Sequence, residues 1–292
     1  MAAPRVPANA AAAKRFHGWF GVIFRVIFLW QSAPAAVILS PAMNDAPQKT
    51  GEAPVADKPV ADEKDAFYLD ILDGLARYLD NAFIADLVET VARHPHPYLG
   101  YSLNRKQVTS KLWLLDELYR AAAGELGTVY VLGGWNGVLS AMLLHDPRFD
   151  VERVLSVDLD PGCEAVADTM NGIHLKAGRF KAVTADMYDI DYRASRFECV
   201  GPDGAPRVVE ATPDTLLNTS CEHLARFAEW YDAVPAGTLL ALQSNDMFHV
   251  DVHVNCHGDL AAFEAQTPMA ERLYSGALKL KRTTRFMLIG RK

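Results

Sequence analysis

From Thr128 onward, short β-branched and apolar runs alternate with segments of helical periodicity, and this alternation restricts the fold more than any other feature of the chain. Thr128 to Leu132, Val154 to Val157, Lys181 to Thr184, Thr215 to Asn218 and Thr238 to Gln243 read as buried strands. Helical patterns stand between and after them: one through Ala141 to Leu144, then Pro161 to Met170, Glu222 to Val234 and Asp259 to Ala265. A strand that returns through a helix to the next strand does so by a right-handed crossover, which makes the strands parallel. The last two β-patterned runs, Leu273 to Leu280 and Thr284 to Ile289, are joined by only a few residues and pair antiparallel.

The expected fold class is therefore α/β, a Rossmann-like, doubly wound, mostly parallel sheet with a C-terminal antiparallel β-hairpin, preceded by two N-terminal helices. The first helical stripe starts at Phe67 and runs through Tyr68, Leu72, Leu75, Leu79, Phe83, Leu87 and Val91. It stops at His94-Pro95-His96-Pro97, because proline lacks the amide donor and constrains the residue before it. The second stripe is Val108, Leu112, Leu115, Leu118 and Tyr119, ending near Gly124. Tyr98 to Gln107 connects them, either as an exposed interhelical loop or as part of a lid that brings Tyr101 or Arg105 over a site. Residues 193–212 interrupt the alternation with Phe197 to Val200, the turn Gly201 to Gly204, and Arg207 to Val209, the pattern of an inserted β-hairpin. Residues 66–292 are read as one domain, with residues 66–124 as its helical lid.

The N-terminal residues carry no such pattern. Lys14 and Arg15 precede an apolar run from Phe16 to Trp30 that Arg25 interrupts and that is shorter than the roughly 20 residues of a membrane span. Residues 1–42 are an apolar extension with three readings: a signal or anchor segment, a surface amphipathic segment, or an overextended reading frame whose true start is Met43. The last is favoured. Residues 43–65 contain the imperfect repeat Pro54 to Lys58 and Pro59 to Glu63, rich in proline, alanine and charge, and read as a disordered linker.

Chemistry is concentrated at two turns. Leu132-Gly133-Gly134-Trp135-Asn136-Gly137 lies between a strand and a helix, where glycines let the backbone approach a ligand. The next strand ends in Asp158-Leu159-Asp160, roughly 20 residues on, where a carboxylate can accept both hydroxyls of a ribose. At this point the sequence resembles the class I S-adenosylmethionine-dependent methyltransferases, over about residues 98–290. The resemblance implies that Gly133, Gly134, Trp135 and Gly137 cradle the methionine part of the cofactor S-adenosyl-L-methionine. It further implies that Asp158, with Leu159 beside it, holds the ribose, and that Asp186 and Met187 of Val183-Thr-Ala-Asp-Met187 meet the adenine. The turn departs from the family's usual G-x-G-x-G, with Trp135 where a small residue is common. Asn218 to His223, Leu242 to Asp246, His253 to Cys256 and Arg285 to Gly290 also resemble a little-characterised bacterial and phage subgroup.

Ligands in open α/β sheets sit beyond the carboxyl ends of the strands, which places Asn218, Glu222, His223 and Asn245 at the reacting centre, with Glu222 or His223 as general base. The structural alternative is that Ser220 or Asn218 caps the following helix and Glu222 sits at its positive end. No metal is assigned. His249, His253 and His257 would share one face of a helix, with Cys256, Glu222 and His223 nearby, but Val250, Val252 and Val254 alternate as in a strand. The expected activity is methyl transfer to nitrogen or oxygen of a small molecule. The alternatives are another S-adenosylmethionine enzyme, an aminocarboxypropyl transferase or lyase, and an NAD-dependent oxidoreductase.

An excess of 36 acidic over 29 basic side chains gives a net charge of −7, which disfavours a nucleic-acid partner. The four cysteines have no C-x-x-C spacing and read as reduced thiols of a cytoplasmic protein. Oligomeric state is not encoded in any of these patterns. Since neither the extension nor the linker matches the α/β core, a chain beginning at Asp65 should stay soluble and unfold in one cooperative thermal transition. Loss of that transition in calorimetry would contradict the assignment.

Overall fold

A computed structural model describes residues 63–94, 97–200 and 203–292. The expectations for residues 1–42, and for the linker up to residue 62, lie outside the described residues. The first helix, α1, spans Glu63–Leu79, beginning a few residues before Phe67 and inside the segment read as linker.

The expected single stripe from Phe67 to Val91 is two helices. Asp80 takes a left-handed φ of 48° and Asn81 restarts the chain as the N-cap of α2 (Ala82–Arg93), its Oδ1 accepting from the Ile84 amide at 3.0 Å. A hydrophobic period survives such a break, so periodicity alone does not reveal it. The expected connection from Tyr98 to Gln107 is largely helical too. It comprises α3 (Pro97–Ser102) and the first turn of α4 (Arg105–Ala122), which Asn104 caps by accepting from the Gln107 amide at 3.0 Å.

The sheet is built from β1 (Glu125–Leu132), β2 (Asp150–Asp158), β3 (Phe180–Thr184), β6 (Thr215–Asn218), β7 (Leu239–Asn245), β8 (Glu271–Lys279) and β9 (Thr284–Arg291). Its order is β3-β2-β1-β6-β7-β9-β8. The five central and left-hand strands are parallel, whereas β9 runs antiparallel to both β7 and β8. Strands β4 (Ser195–Val200) and β5 (Pro206–Ala211) form a separate antiparallel pair. Without that insertion the order is 3-2-1-4-5-7-6 with the last strand reversed, the Rossmann-like sheet with its C-terminal hairpin, and the fold of the class I methyltransferases.

Crossover helices are α5 (Val138–Leu144), α6 (Gly162–Met170), α7 (Gly172–Lys176), α8 (Phe227–Ala233) and α9 (Leu260–Gln266). The helix expected from Glu222 to Val234 is instead a 3₁₀ turn, Cys221–His223, a break, and then α8. Asn255 explains the break: its amide donates to the Glu222 carbonyl at 2.8 Å and its Nδ2 to the Cys221 carbonyl at 3.1 Å. The Glu222 carbonyl is thereby withdrawn from a helical ladder, while that of Cys221 also accepts the closing 3₁₀ bond from the Leu224 amide at 3.1 Å. The core lies on both faces of β1, β6 and β7: Tyr130, Leu132, Leu216, Leu240 and Leu242 are buried on one face, and Val129, Val131, Leu217, Leu239 and Ala241 on the other. Helix α4 closes the β7 to β8 side through Ser110 Oγ to Gln243 Oε1 (2.9 Å) and Trp113 Nε1 to the Tyr274 hydroxyl (3.1 Å).

The two-helix arrangement is checkable. Asn81→Ala removes a side-chain cap and should lower stability by about 1 kcal/mol, read as a reduced denaturation midpoint with an unchanged slope.

Candidate cofactor and acceptor site

The chain runs outward from β1 through β2 to β3, then returns to place β6 on the other side of β1. At such a reversal the connections leave the carboxyl ends of adjacent strands in opposite directions and open a crevice between them. A cavity of about 830 Å³ occupies this position, bordered by the turns after β1, β2, β3 and β6. That volume lies in the upper range for small-molecule sites and has room for a nucleoside-sized cofactor together with a small acceptor.

Gly133, Gly134, Trp135, Asp158, Leu159, Asp186, Met187, Glu222 and His223 all line it, so most of the expected site residues meet in one place. The turn after β1 is fastened to β2 by two bonds. The Gly134 amide donates to the Val157 carbonyl at 3.0 Å, and the Trp135 amide donates to Asp158 Oδ2 at 2.8 Å. Gly134 has no room for a side chain, since a Cβ would stand 2.0 Å from Ser156 Oγ. Trp135 adopts a left-handed φ of 50°, a strained conformation for a non-glycine residue that the bond to Asp158 helps to hold. Asp158 Oδ1 also accepts from the Asp160 amide at 3.0 Å. Each oxygen thus spends one acceptor site on the backbone and keeps another for a ligand.

Three expected residues do not line the cavity. Gly137, with φ of 71°, precedes α5 where a Cβ would meet Asn171 Nδ2 at 2.6 Å, so its glycine permits helix packing. Asn218 is fully buried, and its Oδ1 accepts from the Ser220 amide at 2.9 Å to shape the turn after β6. Ser220 supplies no side-chain cap to the 3₁₀ turn. Asn245 is fully buried as well, but its Nδ2 donates to Glu222 Oε1 at 2.6 Å, so it positions the carboxylate.

Glu222 is 3% exposed, and its second oxygen, Oε2, is buried without a hydrogen-bond partner. Burial pushes its carboxyl above the usual carboxylate range, opposed most strongly by the positive charge of Arg285. The His223 Nδ1 faces the Val252 carbonyl at 3.0 Å, and the ring stands edge-on to His253 with centroids 4.6 Å apart. The loop after β7 is neither the strand nor the helix considered from its sequence; it is a series of turns, with bonds from the Val250 amide to Met247 and from the His253 amide to Val250. Within it His257 is committed to structure, its Nε2–H donating to Gln266 Oε1 at 3.0 Å while Nδ1 meets the Ser244 hydroxyl at 2.9 Å.

The lid reading offered Tyr101 or Arg105, but other residues of the N-terminal helices reach the cavity. Ser102, Asn104, Lys106, Gln107 and Lys111 line the cavity, whereas Tyr101 and Arg105 do not. Lys111 is 8% exposed and hydrogen-bonds Gln107 Oε1 at 3.0 Å. Desolvation, and secondarily Arg285, depress its amine from the ordinary 10.5 to about 7. A lysine inside a stripe of leucines was the one available signal.

No protein-family model matches the sequence, and no curated protein matches it. Among solved structures the chain is similar to the N-methyltransferase NodS from Bradyrhizobium japonicum WM9, with 12% identity, a TM-score of 0.47, and coverage of 65% of this chain and 99% of that one. MtNAS in complex with MTA and tNA is similar at 14% identity and a TM-score of 0.45, covering 79% and 78%. The N-terminal domain of EvdMO1 in the presence of SAH and D-fucose is similar at 14% identity and a TM-score of 0.42, covering 62% and 82%. The strand order, with its reversed final strand, defines the fold as that of the class I S-adenosylmethionine-dependent methyltransferases. No helix among the described residues is long and apolar enough to cross a membrane.

Lys111 generates a pH-dependent expectation. Its folded value near 7 lies below the unfolded 10.5, so between these the unfolded chain binds more protons and stability rises with pH. Lys111→Met removes the cost of burying the amine and should raise the melting temperature at pH 7, by about 2–4 °C for each kcal/mol recovered. The gain should shrink toward pH 10; a gain independent of pH, or a loss throughout, would contradict this account.

Proposed function

We propose that the protein is an S-adenosyl-L-methionine-dependent methyltransferase acting on nitrogen or oxygen of a small-molecule acceptor. The observation that carries this reading is the single crevice at the strand-order reversal, into which both the Gly133 to Trp135 turn with Asp158 and the Glu222–His223 pair open. The residues fit the cofactor: glycine at position 134 leaves the turn free of side chain, Asp158 retains acceptor capacity for a ribose, and Asp186 with Met187 offers a polar edge and an apolar face for adenine. When bound, the cofactor supplies an electrophilic methyl group on a sulfonium.

An acceptor attacking that methyl group would have to give up its proton where it carries one. Glu222, held by Asn245 and raised in basicity by burial, takes that proton, with His223 beside it. Ser102, Asn104, Lys106, Gln107 and Lys111 line the crevice, the position from which a lid acts. A cytoplasmic location follows from the use of a cytosolic cofactor.

Calorimetry tests the cofactor. Asp158→Ala should weaken S-adenosylmethionine binding by about tenfold to a hundredfold, equivalent to roughly 1.5–3 kcal/mol of charge-assisted hydrogen bonding. NAD should not bind; tight NAD binding would move the assignment to an oxidoreductase. Product analysis after incubation with labelled cofactor distinguishes methyl transfer from aminocarboxypropyl transfer or lyase cleavage. Once an acceptor is known, Glu222→Gln should leave cofactor affinity within a few fold and lower single-turnover rate by roughly a hundredfold.

A further inference from the structure

Three side chains on the cavity wall converge in a way that proton transfer alone does not use. We infer that Glu222, His223 and His253 form a binding site for a divalent transition-metal ion of the zinc class. One ligand atom from each, a carboxylate oxygen and two imidazole nitrogens, lies within 4.8 Å of the other two. Two imidazoles with one carboxylate are a donor set suited to zinc and its first-row neighbours, and three protein ligands leave an open position for a reactant. This departs from the sequence expectation of no metal.

Two of the three ligands have their second contact in place. A carbonyl oxygen only accepts, so His223 Nδ1–H donates to Val252 at 3.0 Å and Nε2 keeps its lone pair for a ligand. Asn245 holds Glu222 through Oε1 at 2.6 Å and leaves Oε2 unpartnered. Glu222 is more than nine-tenths buried and forms no ion pair among the described residues, so Arg285 does not neutralise it by direct contact. His253 Nδ1 is likewise buried without a partner. Unpartnered buried groups of this kind are costly unless something satisfies them, and a cation between the two satisfies both.

Around an ion with bonds of about 2.0–2.2 Å the ligand atoms stand roughly 3.4 Å apart, so a pair at the full 4.8 Å would close by about 1.4 Å. The exposed His223 and half-buried His253, the latter on the loop after β7, are placed to make that adjustment. The other candidates of that loop are otherwise occupied, His257 by Ser244 and Gln266, and Cys256 by Asn245 Oδ1 at 3.4 Å.

The role of the ion rests on the methyltransferase reading. Lys111 and Arg285 border the same cavity, which suits an acceptor carrying a carboxylate that these cations hold and a hydroxyl that occupies the open metal position. The ion acidifies the hydroxyl, its proton passes to water, and the resulting oxygen attacks the methyl carbon as the carbon–sulfur bond breaks. Glu222 then serves as a ligand in place of the proton acceptor.

The test uses the full chain, stripped of metal by a chelator, dialysed, and titrated with Zn2+ and with Co2+ as a spectroscopic reporter. One equivalent of each should bind, with visible Co2+ absorption showing imidazole ligation. His253→Ala and Glu222→Gln should lose at least the 10–100-fold in affinity that outer-shell partners alone carry, and Asn245→Ala should fall within that range. His249→Ala should retain the site. Melting temperature and S-adenosylhomocysteine affinity of the same variants separate ligand loss from misfolding. Equal Zn2+ uptake by wild type and His253→Ala, or equal losses in His249→Ala and His253→Ala, would overturn the site. Asp158→Ala should weaken cofactor affinity by about tenfold to a hundredfold yet bind the metal normally, so a failure of the cofactor assignment and a failure of the metal site give different results.

Discussion

Everything in the site depends on the position of β1, which pairs in parallel with β2 on one edge and with β6 on the other. The chain leaves β1 toward β2 and returns to it at β6, so the two turns that follow these neighbours diverge and water or ligand enters between them. A sheet whose strands were added in one direction only would carry the same residues at its strand ends without bringing them to one cavity. The cavity is thus a consequence of strand order, and the helices only complete its walls.

Around this crevice the backbone is held by side chains more than by regular ladders. Asp158 fixes the strained turn at Trp135, while Asn255 donates to the carbonyls of Cys221 and Glu222 and connects onward to Gln266, whose Nε2 donates to Asn255 Oδ1 at 2.8 Å. His257, Ser244 and Gln266 extend the same network beneath the loop after β7. Buried networks of this kind specify a geometry because each unsatisfied member is expensive. The result is that Glu222 is presented to the cavity from a 3₁₀ turn with one oxygen held and the other open.

Charge is distributed unevenly over the cavity wall. Asp158 and Asp186 stand with the glycine turn, while Lys111 and Arg285 accompany Glu222, His223 and His253. Burial depresses the Lys111 amine, which reduces the repulsion a cation at Glu222 would meet. An acceptor bearing a negative group is the species that this arrangement favours.

The sequence by itself determined the alternation of strands and helices, the closing hairpin, and the pairing of a glycine turn with Asp158, because strand and helix periods and the steric needs of glycine are local properties. It also placed Glu222 and His223 beyond a strand end. Three matters were decided only by tertiary structure. The break at Asp80–Asn81 and the helix over Pro97–Ser102 depended on capping and packing that an apolar stripe does not record. The demotion of Asn218 and Gly137 to structural roles, and of Asn245 to a positioning one, followed from which neighbours fill their hydrogen bonds and their space. Finally, Lys111 entered the site and His253 came against His223 because α4 and the loop after β7 fold over the same crevice, a long-range contact that no local pattern in the chain encodes.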